Sequence, residues 1–505
     1  MEDKDYKMLV WGLQGEAQDN PDWFRSKVLL ISLFGYFVLL SMLFILVFGA
    51  ILLFTFARDS HGAMPKVMLV SWVLIVVPIL LLTFRLFFAR IPAPEGREIF
   101  ENDAPPLFSM VEKLRQHLQS APIHHVLITE DFNAAIAQCP RYGLFGGYRN
   151  YLILGLPLLQ AMSSKEILAV VAHEYGHLVG NHSKLNGWIY RQRATFSVLY
   201  EHAQQRRETS LLSSVFAGLL DRFAPYYNGH TFVLSRQNEY EADAVSREIA
   251  GAEASASALI RISLLDTWLS DSFWPKVFDQ AKLHDIPPVM PFYAMRKLLM
   301  VTMDEWATSK RLSDVWKEES NVHDTHPCLS ERVIAMDRSA TLPGIPESCA
   351  ADTLLGKTSP VIAREFDETW WRKEKDKWQQ YFRRYTRSKV RITELEQRQV
   401  ADLSISEAQE LSLLLAEFRS IADAKHVLED LLRRAGERYP KPVYFYGRAL
   451  LDEGNERGLE YLEEAFHLSP AMADECARAG YQWLCEKQSE TAADHWLQRL
   501  STAQV

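Results

Sequence analysis

Cysteine is scarce in this chain of 505 residues, and the five copies are scattered. Their number is odd and no two of them have C-x-x-C spacing, which argues against a disulfide framework and favours a reducing compartment. Positive charge is also in short supply. The formal net charge is -9, which gives no electrostatic reason to expect nucleic acid as a partner. A chain of this length is expected to form two to four domains.

Charged residues are missing altogether from two stretches near the N-terminus, residues 28–56 and 67–84. Each is long enough to span a hydrocarbon core of about 30 Å as a helix, and the link between them is short and polar. We expect a transmembrane hairpin rather than two buried core helices, because core helices rarely stay apolar on every side. A cleaved signal peptide is not expected, since a long acidic segment precedes the first stretch.

Basic residues are more numerous beside the hairpin than in its link. Arg25, Lys27, Arg85, Arg90 and Arg97 flank it, and Arg58 and Lys66 lie in the link. The positive-inside rule then places both ends of the hairpin, and everything after about residue 90, in the cytoplasm. We therefore expect a multi-pass protein of a bacterial inner membrane with a cytoplasmic catalytic domain.

The sequence HEYGH at residues 173–177 carries the clearest chemical signal. A Ser-x-x-Glu capping pattern at residues 163–166 predicts that a helix begins shortly before it. On that helix His173 and His177 project from one face and can hold one metal ion, while Glu174 can take a proton from a metal-bound water. A chance match or a pair of buried core histidines is the alternative, so a third ligand is needed to decide.

Two candidates for the third ligand follow. His182 comes one position early for the H-E-x-x-H-x-x-G-x-x-H pattern, in which Ser183 takes the last place, and we interpret it as a surface or supporting histidine. Glu239 and Asp243 lie four residues apart on a predicted second helix. Glu239 can complete a His₂Glu zinc site, and Asp243 can accept a hydrogen bond from a ligand imidazole, most simply that of His173. A solvated acidic helix face is the alternative reading.

Taken together, these motifs resemble the gluzincin family of HtpX-like heat-shock proteases and CAAX prenyl proteases. The second motif, S-R-x-x-E-[YF]-x-A-D, stands at residues 235–243, and Thr-His-Pro at 325–327 is followed by Glu-Arg at 331–332. Asn-Ala at 133–134 before a Gly-rich stretch also fits. The resemblance covers roughly residues 105–336.

The resemblance implies one Zn²⁺ per chain, with Glu239 as its third ligand beside the two motif histidines. Zinc would lower the pKa of its bound water, and Glu174 would pass the water proton to the leaving amine. His326 would lie near the metal, either stabilising the oxyanion or covering the site. Tyr240 is a weaker oxyanion candidate, because a mid-helix tyrosine is usually part of the core. The run at residues 151–154 would be an edge strand that pairs with extended substrate.

The expected fold is mainly α, with an α+β catalytic core. We divide the chain into a cytoplasmic tail (1–27), two transmembrane helices (28–90), a helix-rich gluzincin zinc metallopeptidase domain with a small β-sheet (91–345), a helical linker (346–400) and TPR-like helical repeats (401–505). Residues 366–398 are dense in charge and aromatic rings, which indicates either this linker or an interfacial membrane helix. The repeats have a period near thirty residues, and an unrelated helical bundle is the alternative.

The predicted function is that of a membrane-anchored zinc endopeptidase in membrane or envelope protein quality control, by analogy with HtpX-like and BepA-like proteins. Expected partners are protein or peptide substrates, the lipid bilayer and a protein bound to the repeats. Residues 211–220 are too short to cross a bilayer, so a prenyl-protease chamber is a minor alternative. The other alternative is a membrane-bound scaffold with an idle or structural zinc site. Glu174 disfavours it, because a structural site has no use for a base.

Overall fold

The computed structural model describes residues 3–59, 62–71, 73–74, 77, 93–140, 147–179, 211–320, 326–434 and 436–502. These residues are mostly helical and include a small sheet, which confirms the prediction of a mainly α fold. The α-helices described are α1 (Asp3–Asp19), α2 (Pro21–Asp59), α3 (Pro105–His117), α4 (Leu156–Ala161), α5 (Ser164–Val179), α6 (Leu211–Ala250), α7 (Ala252–Trp268), α8 (Trp274–Asp279), α9 (Pro291–Trp306), α10 (Ser309–Trp316), α11 (Leu329–Ala335), α12 (Thr358–Glu396), α13 (Ile405–Phe418), α14 (Ile421–Arg434), α15 (Pro440–Asp452), α16 (Gly458–Leu468), α17 (Ala473–Lys487) and α18 (Glu490–Thr502).

The sheet is built from four strands within the described residues: β1 (Arg97–Ile99), β2 (His125–Thr129), β3 (Ala134–Pro140) and β4 (Tyr148–Gly155). Their order is β1-β2-β4-β3, with β2 and β4 parallel and the other two pairs antiparallel. The prediction that residues 151–154 form an edge strand is therefore wrong. Their continuous apolar run suits a strand that is paired on both sides, and the edge is taken by β3, which the sequence pattern did not reveal.

Helix α5 begins with the capping box that the sequence predicts. The Ser163 backbone N–H donates to Glu166 Oε2 at 2.8 Å, and the Glu166 backbone N–H donates to Ser163 Oγ at 3.2 Å. Glu166 is buried and also accepts from Ser257 at 2.6 Å and from Arg261 at 2.9 Å. Burial alone would raise the pKa of Glu166, but Arg261 and the hydroxyl donors lower it. The start of the helix that carries residues 173–177 is thus held by a buried, paired charge.

The segment predicted as a tail, residues 1–27, includes helix α1, which packs against α6. Val10, Leu13 and Phe24 share one buried cluster with Tyr227 and Phe232 of α6. Because α6 carries the second predicted metal motif, the N-terminal segment supports the helix on which that motif lies.

Residues 28–56 lie within helix α2, whose large apolar side chains are exposed along most of its length. The second apolar stretch, residues 67–84, lies largely outside the described residues. No helix within the described part of the chain meets the length and apolarity needed to cross a membrane. The transmembrane hairpin therefore stays a prediction.

The chain divides into two compact units, Met1–Pro275 with Val289–Trp371, and Lys276–Pro288 with Arg372–Val505. The second unit contains helices α13 to α18. A β-carbon on Gly447 of α15 would lie 2.9 Å from the carbonyl oxygen of Gly458 of α16, and one on Gly480 of α17 would lie 2.2 Å from the Trp496 ring of α18. Glycine thus permits close contact within each helix pair. The predicted helix pairs after Pro440 and Pro470 are present, whereas their assignment as TPR-like repeats and the predicted domain boundaries stay predictions.

The carboxylate of Asp367 gives a pH-dependent prediction for stability in the first unit. It is buried and accepts the first-turn N–H groups of Phe292 at 2.8 Å and Tyr293 at 3.0 Å, at the start of α9. Burial nevertheless raises the pKa of Asp367 from 3.8 to about 6. The folded protein therefore holds this proton between about pH 4 and pH 6 while the unfolded chain releases it, so this contribution to stability is lost as pH rises through that window.

Asp367→Asn removes this titration. From pH 4 to pH 7 its free energy of unfolding should therefore rise relative to that of wild type by about 3 kcal/mol, at about 1.4 kcal/mol per pKa unit. Chemical unfolding of both proteins at the two pH values measures the difference. Glu368→Gln, an exposed neighbour on the same helix, is the matched control and should show no comparable change. A pH-independent difference between Asp367→Asn and wild type would contradict the raised pKa.

Candidate metal centre

Helices α5 and α6 approach each other closely at Gly176. A β-carbon on Gly176 would lie only 2.7 Å from Cα of Ala242. The absence of a side chain at this position lets the two backbones meet, and the contact falls between the two sequence motifs. It brings Glu239 of α6 beside His173 and His177 of α5.

The three side chains direct their donor atoms into one space. His173 Nε2 lies 3.2 Å from His177 Nε2 and 3.6 Å from Glu239 Oε2, and His177 Nε2 lies 3.4 Å from Glu239 Oε1. Ligands of a tetrahedral zinc ion with bonds of about 2.0–2.1 Å are about 3.3 Å apart. Together the three form a group capable of holding a metal ion. The distances therefore fit zinc.

The electrostatics of Glu239 also fit a cation. Its side chain is 6% exposed, and its buried Oε2 atom faces the ring nitrogens of His173 and His326. Burial alone would raise the pKa of Glu239, but His177, His326 and Arg332 lower it. A buried, ionised carboxylate is costly unless a cation compensates for it.

Asp243 contacts the second ring nitrogen of His173, the one that does not face the other two candidate ligands. Asp243 Oδ1 lies 2.9 Å from His173 Nδ1, as expected from the spacing of the motif. The guanidinium of Arg332 binds both oxygens of Asp243, at 2.7 and 2.8 Å. Burial alone would raise the pKa of Asp243, but Arg332 and His173 lower it. The sequence showed Arg332 only as part of a Glu-Arg pair and gave no sign of this contact.

Glu174 lies beneath the edge strand β3. The backbone N–H of Ile136 donates to Glu174 Oε2 at 3.3 Å. Burial raises the pKa of Glu174, although His173 and His177 oppose the effect. This carboxyl group therefore combines proximity to the metal ligands with a raised affinity for protons. Nothing in the sequence pattern indicated the Ile136 contact, because β3 itself was not predicted.

His326 reaches the same centre from the loop before α11. Its Nδ1 atom lies 2.9 Å from Glu239 Oε2, although the His326 side chain is 66% exposed. Glu239 raises the pKa of His326. The alternative ligand, His182, lies outside the described residues.

Tyr240 points away from the centre. Its hydroxyl donates to Glu331 at 2.9 Å, and burial raises its pKa to about 12. This contact commits the hydroxyl proton of Tyr240 to a carboxylate on another helix, and an oxyanion role for Tyr240 stays a prediction.

Comparison with known proteins identifies the family of the region that contains the candidate metal centre. Residues 141–340 match the model of Peptidase family M48. Among solved structures, the chain is similar to the crystal structure of S. mikatae Ste24p, with 17% sequence identity and a TM-score of 0.26, over 62% of this chain and 67% of that chain. No curated protein matches the chain. The family match contains every residue of the centre except Ile136. Residues 141–340 are therefore a family M48 peptidase domain, and the chain is a zinc metallopeptidase.

Proposed function

We propose that this chain is a membrane-anchored endopeptidase that cleaves extended segments of unfolded or membrane proteins, with zinc held by His173, His177 and Glu239. The observation that carries the proposal is the convergence of these three side chains beside the half-buried carboxyl group of Glu174 and the edge of β3. When bound, zinc supplies a Lewis acid that polarises the scissile carbonyl and lowers the pKa of water.

Glu174 acts as the base in this proposal. It is the one acidic residue of the motif and is not needed as a ligand, and the raised pKa that burial gives it favours both taking and releasing a proton. Glu174 takes the proton of the attacking water and then donates it to the leaving amine. The N–H of Ile136 orients the carboxylate in its ionised form.

The substrate lies along β3. This strand pairs with β4 on one side, and the N–H of Ile136 points to the other side, toward Glu174. An extended peptide can therefore add to this edge through main-chain hydrogen bonds, which gives affinity with little sequence preference. Such binding favours internal cleavage of unfolded segments.

Asp243 and Arg332 position the first ligand. Asp243 accepts from His173 Nδ1, which fixes the tautomer that leaves Nε2 for the metal. Arg332 in turn fixes both oxygens of Asp243. The two residues thus keep His173 oriented in the absence and presence of substrate.

Membrane anchoring rests on α2 and on the second apolar stretch of the sequence. Exposed phenylalanines of α2, among them Phe37, Phe44 and Phe56, would be costly in water but favourable in lipid. By the positive-inside rule, the catalytic unit lies in the cytoplasm. The enzyme acts in protein quality control. The helix pairs after residue 401 would bind a protein partner or guide substrate.

Incubation of the purified full-length chain with casein, followed by mass spectrometry of the products, tests the proposal. Internal cleavage at many sites, blocked by a zinc chelator, is expected. Removal of single terminal residues would identify an exopeptidase, and intact casein would contradict the proposed substrate class.

His326→Ala should lower kcat by about 10²–10³, the cost of losing one oxyanion donor. In this proposal the imidazole turns from Glu239 to the developing oxyanion, which its exposed position permits. The measurement is kcat on a casein-derived peptide for wild type and variant at equal zinc content. His284→Ala, which changes an exposed histidine in the second compact unit, is the matched control and should leave kcat unchanged. A rise in basal cleavage in His326→Ala would contradict the donor role and show that His326 covers the metal instead.

A further inference from the structure

The second half of helix α12 concentrates positive charge in a chain whose formal net charge is -9. Residues 375–391 include seven lysines and arginines and a single acidic residue, Asp376. None of this charge is used by the metal centre. Its arrangement on the helix therefore calls for a separate explanation.

Some of these cations have partners within the second compact unit. Lys377, Arg384 and Arg391 each form an ion pair with a glutamate, at 3.9, 2.7 and 2.9 Å respectively. The pairs of Arg384 and Arg391 join α12 to helix α13. Glutamates offset the charge of these three side chains, and they do not offset that of the remaining cations.

Three of the remaining cations, with Arg372 one turn before them, form what we call the basic face: Arg372, Lys375, Arg383 and Arg387. All four are exposed, and across the described residues none of them has a carboxylate partner. Arg383 donates to a backbone carbonyl, that of Gln379, at 3.2 Å. Asp376 lies on the same side of the helix and offsets one of these charges. The basic face therefore carries a net positive charge that the protein itself does not neutralise.

The spacing of these residues keeps them on one side of α12. Arg372, Lys375, Arg383 and Arg387 follow at intervals of three, eight and four residues, which at 3.6 residues per turn keeps them within about 120° of one another around the helix. Trp378 and Ile392 are buried on the opposite side. At about 1.5 Å per residue, the row from Arg372 to Arg387 is about 22 Å long.

We propose that the basic face docks on an anionic membrane surface. A straight row of long, flexible cations fits a flat surface of mobile lipid headgroups, and each cation close to such a surface adds to the attraction. A protein partner is disfavoured, because protein interfaces need apolar or aromatic anchors at their centre, and this face offers only Val390. The proposal rests on the membrane anchoring proposed above, which would hold the chain within reach of the lipid.

Full-length protein in lipid nanodiscs tests the proposal. A dye on Thr386→p-acetylphenylalanine, an exposed position on the basic face, reports energy transfer to a headgroup-labelled lipid. Transfer should rise at least twofold when phosphatidylcholine discs include phosphatidylglycerol. The rise should vanish when salt increases from about 0.1 M to about 1 M, since the Debye length falls from about 10 Å to about 3 Å.

Arg383→Gln with Arg387→Gln should remove more than half of this rise. Arg384→Gln with Arg391→Gln is the matched control, since it removes the same charge from the paired side and should retain the rise. Equal transfer in both lipids, or equal losses in both variants, would overturn the proposal. The proposal would also be overturned if an acidic protein copurified with wild type but not with the Arg383→Gln, Arg387→Gln variant, and the lipid composition had no effect on transfer. Retention of the chain in discs tests the anchor separately, and casein cleavage tests the peptidase.

Discussion

Glu174→Gln is expected to lower kcat for casein cleavage by about 10²–10⁴, the usual contribution of a general base. Glutamine has nearly the same shape and can still accept the hydrogen bond of the Ile136 N–H, so the fold and the ligand set should not change. What it cannot do is take a proton from water. Zinc content, measured by mass spectrometry of the metal, should therefore equal that of wild type.

The comparison variant for this change is Glu166→Gln, which replaces a buried glutamate of the same helix, 8 positions earlier. It should reduce stability by weakening the pair with Arg261, while the folded fraction keeps its kcat. If Glu174→Gln cleaved casein at the wild-type rate with full zinc, Glu174 could not be the base.

Glu239→Gln should lose both zinc and activity. An amide is a neutral and weaker ligand than a carboxylate, and the site would lose its one negative charge toward the metal. Replacing a residue that hydrogen-bonds to a metal ligand usually lowers metal affinity by roughly 10–100-fold. Replacing the ligand Glu239 itself should lower zinc affinity by more than that. Competition with a chromogenic zinc chelator measures the affinity.

Glu241→Gln provides a control with the same chemical change two residues away. Glu241 binds Arg25 at 2.7 Å and lies on another side of α6, so its replacement should leave zinc affinity unchanged. Full zinc occupancy in Glu239→Gln, or equal losses in both variants, would contradict the assignment of the third ligand.

The sequence was most informative where spacing on a helix decides geometry. His173 and His177 had to share a face once a helix was assigned, and Glu239 and Asp243 had to share one as well. The Ser163–Glu166 capping box marked where the first helix begins. The structure brings these residues together, with Asp243 at His173 as expected.

Contacts between distant segments were beyond sequence reasoning. Strand β3 was missed because its run of small and polar residues has no clear alternation. Because β3 was not predicted, residues 151–154 were assigned to the edge of the sheet. The bidentate contact of Arg332 with Asp243 joins residues 89 positions apart. The packing of α1 on α6 depends on tertiary contacts that the sequence of the acidic N-terminal segment does not indicate.

Titration of zinc into chelator-treated full-length protein, with casein cleavage followed at each step, tests the central claim most directly. The account predicts no cleavage without zinc and a linear rise that reaches its plateau at one zinc ion per chain. Cleavage that persists without zinc, or none at one ion per chain, would contradict it.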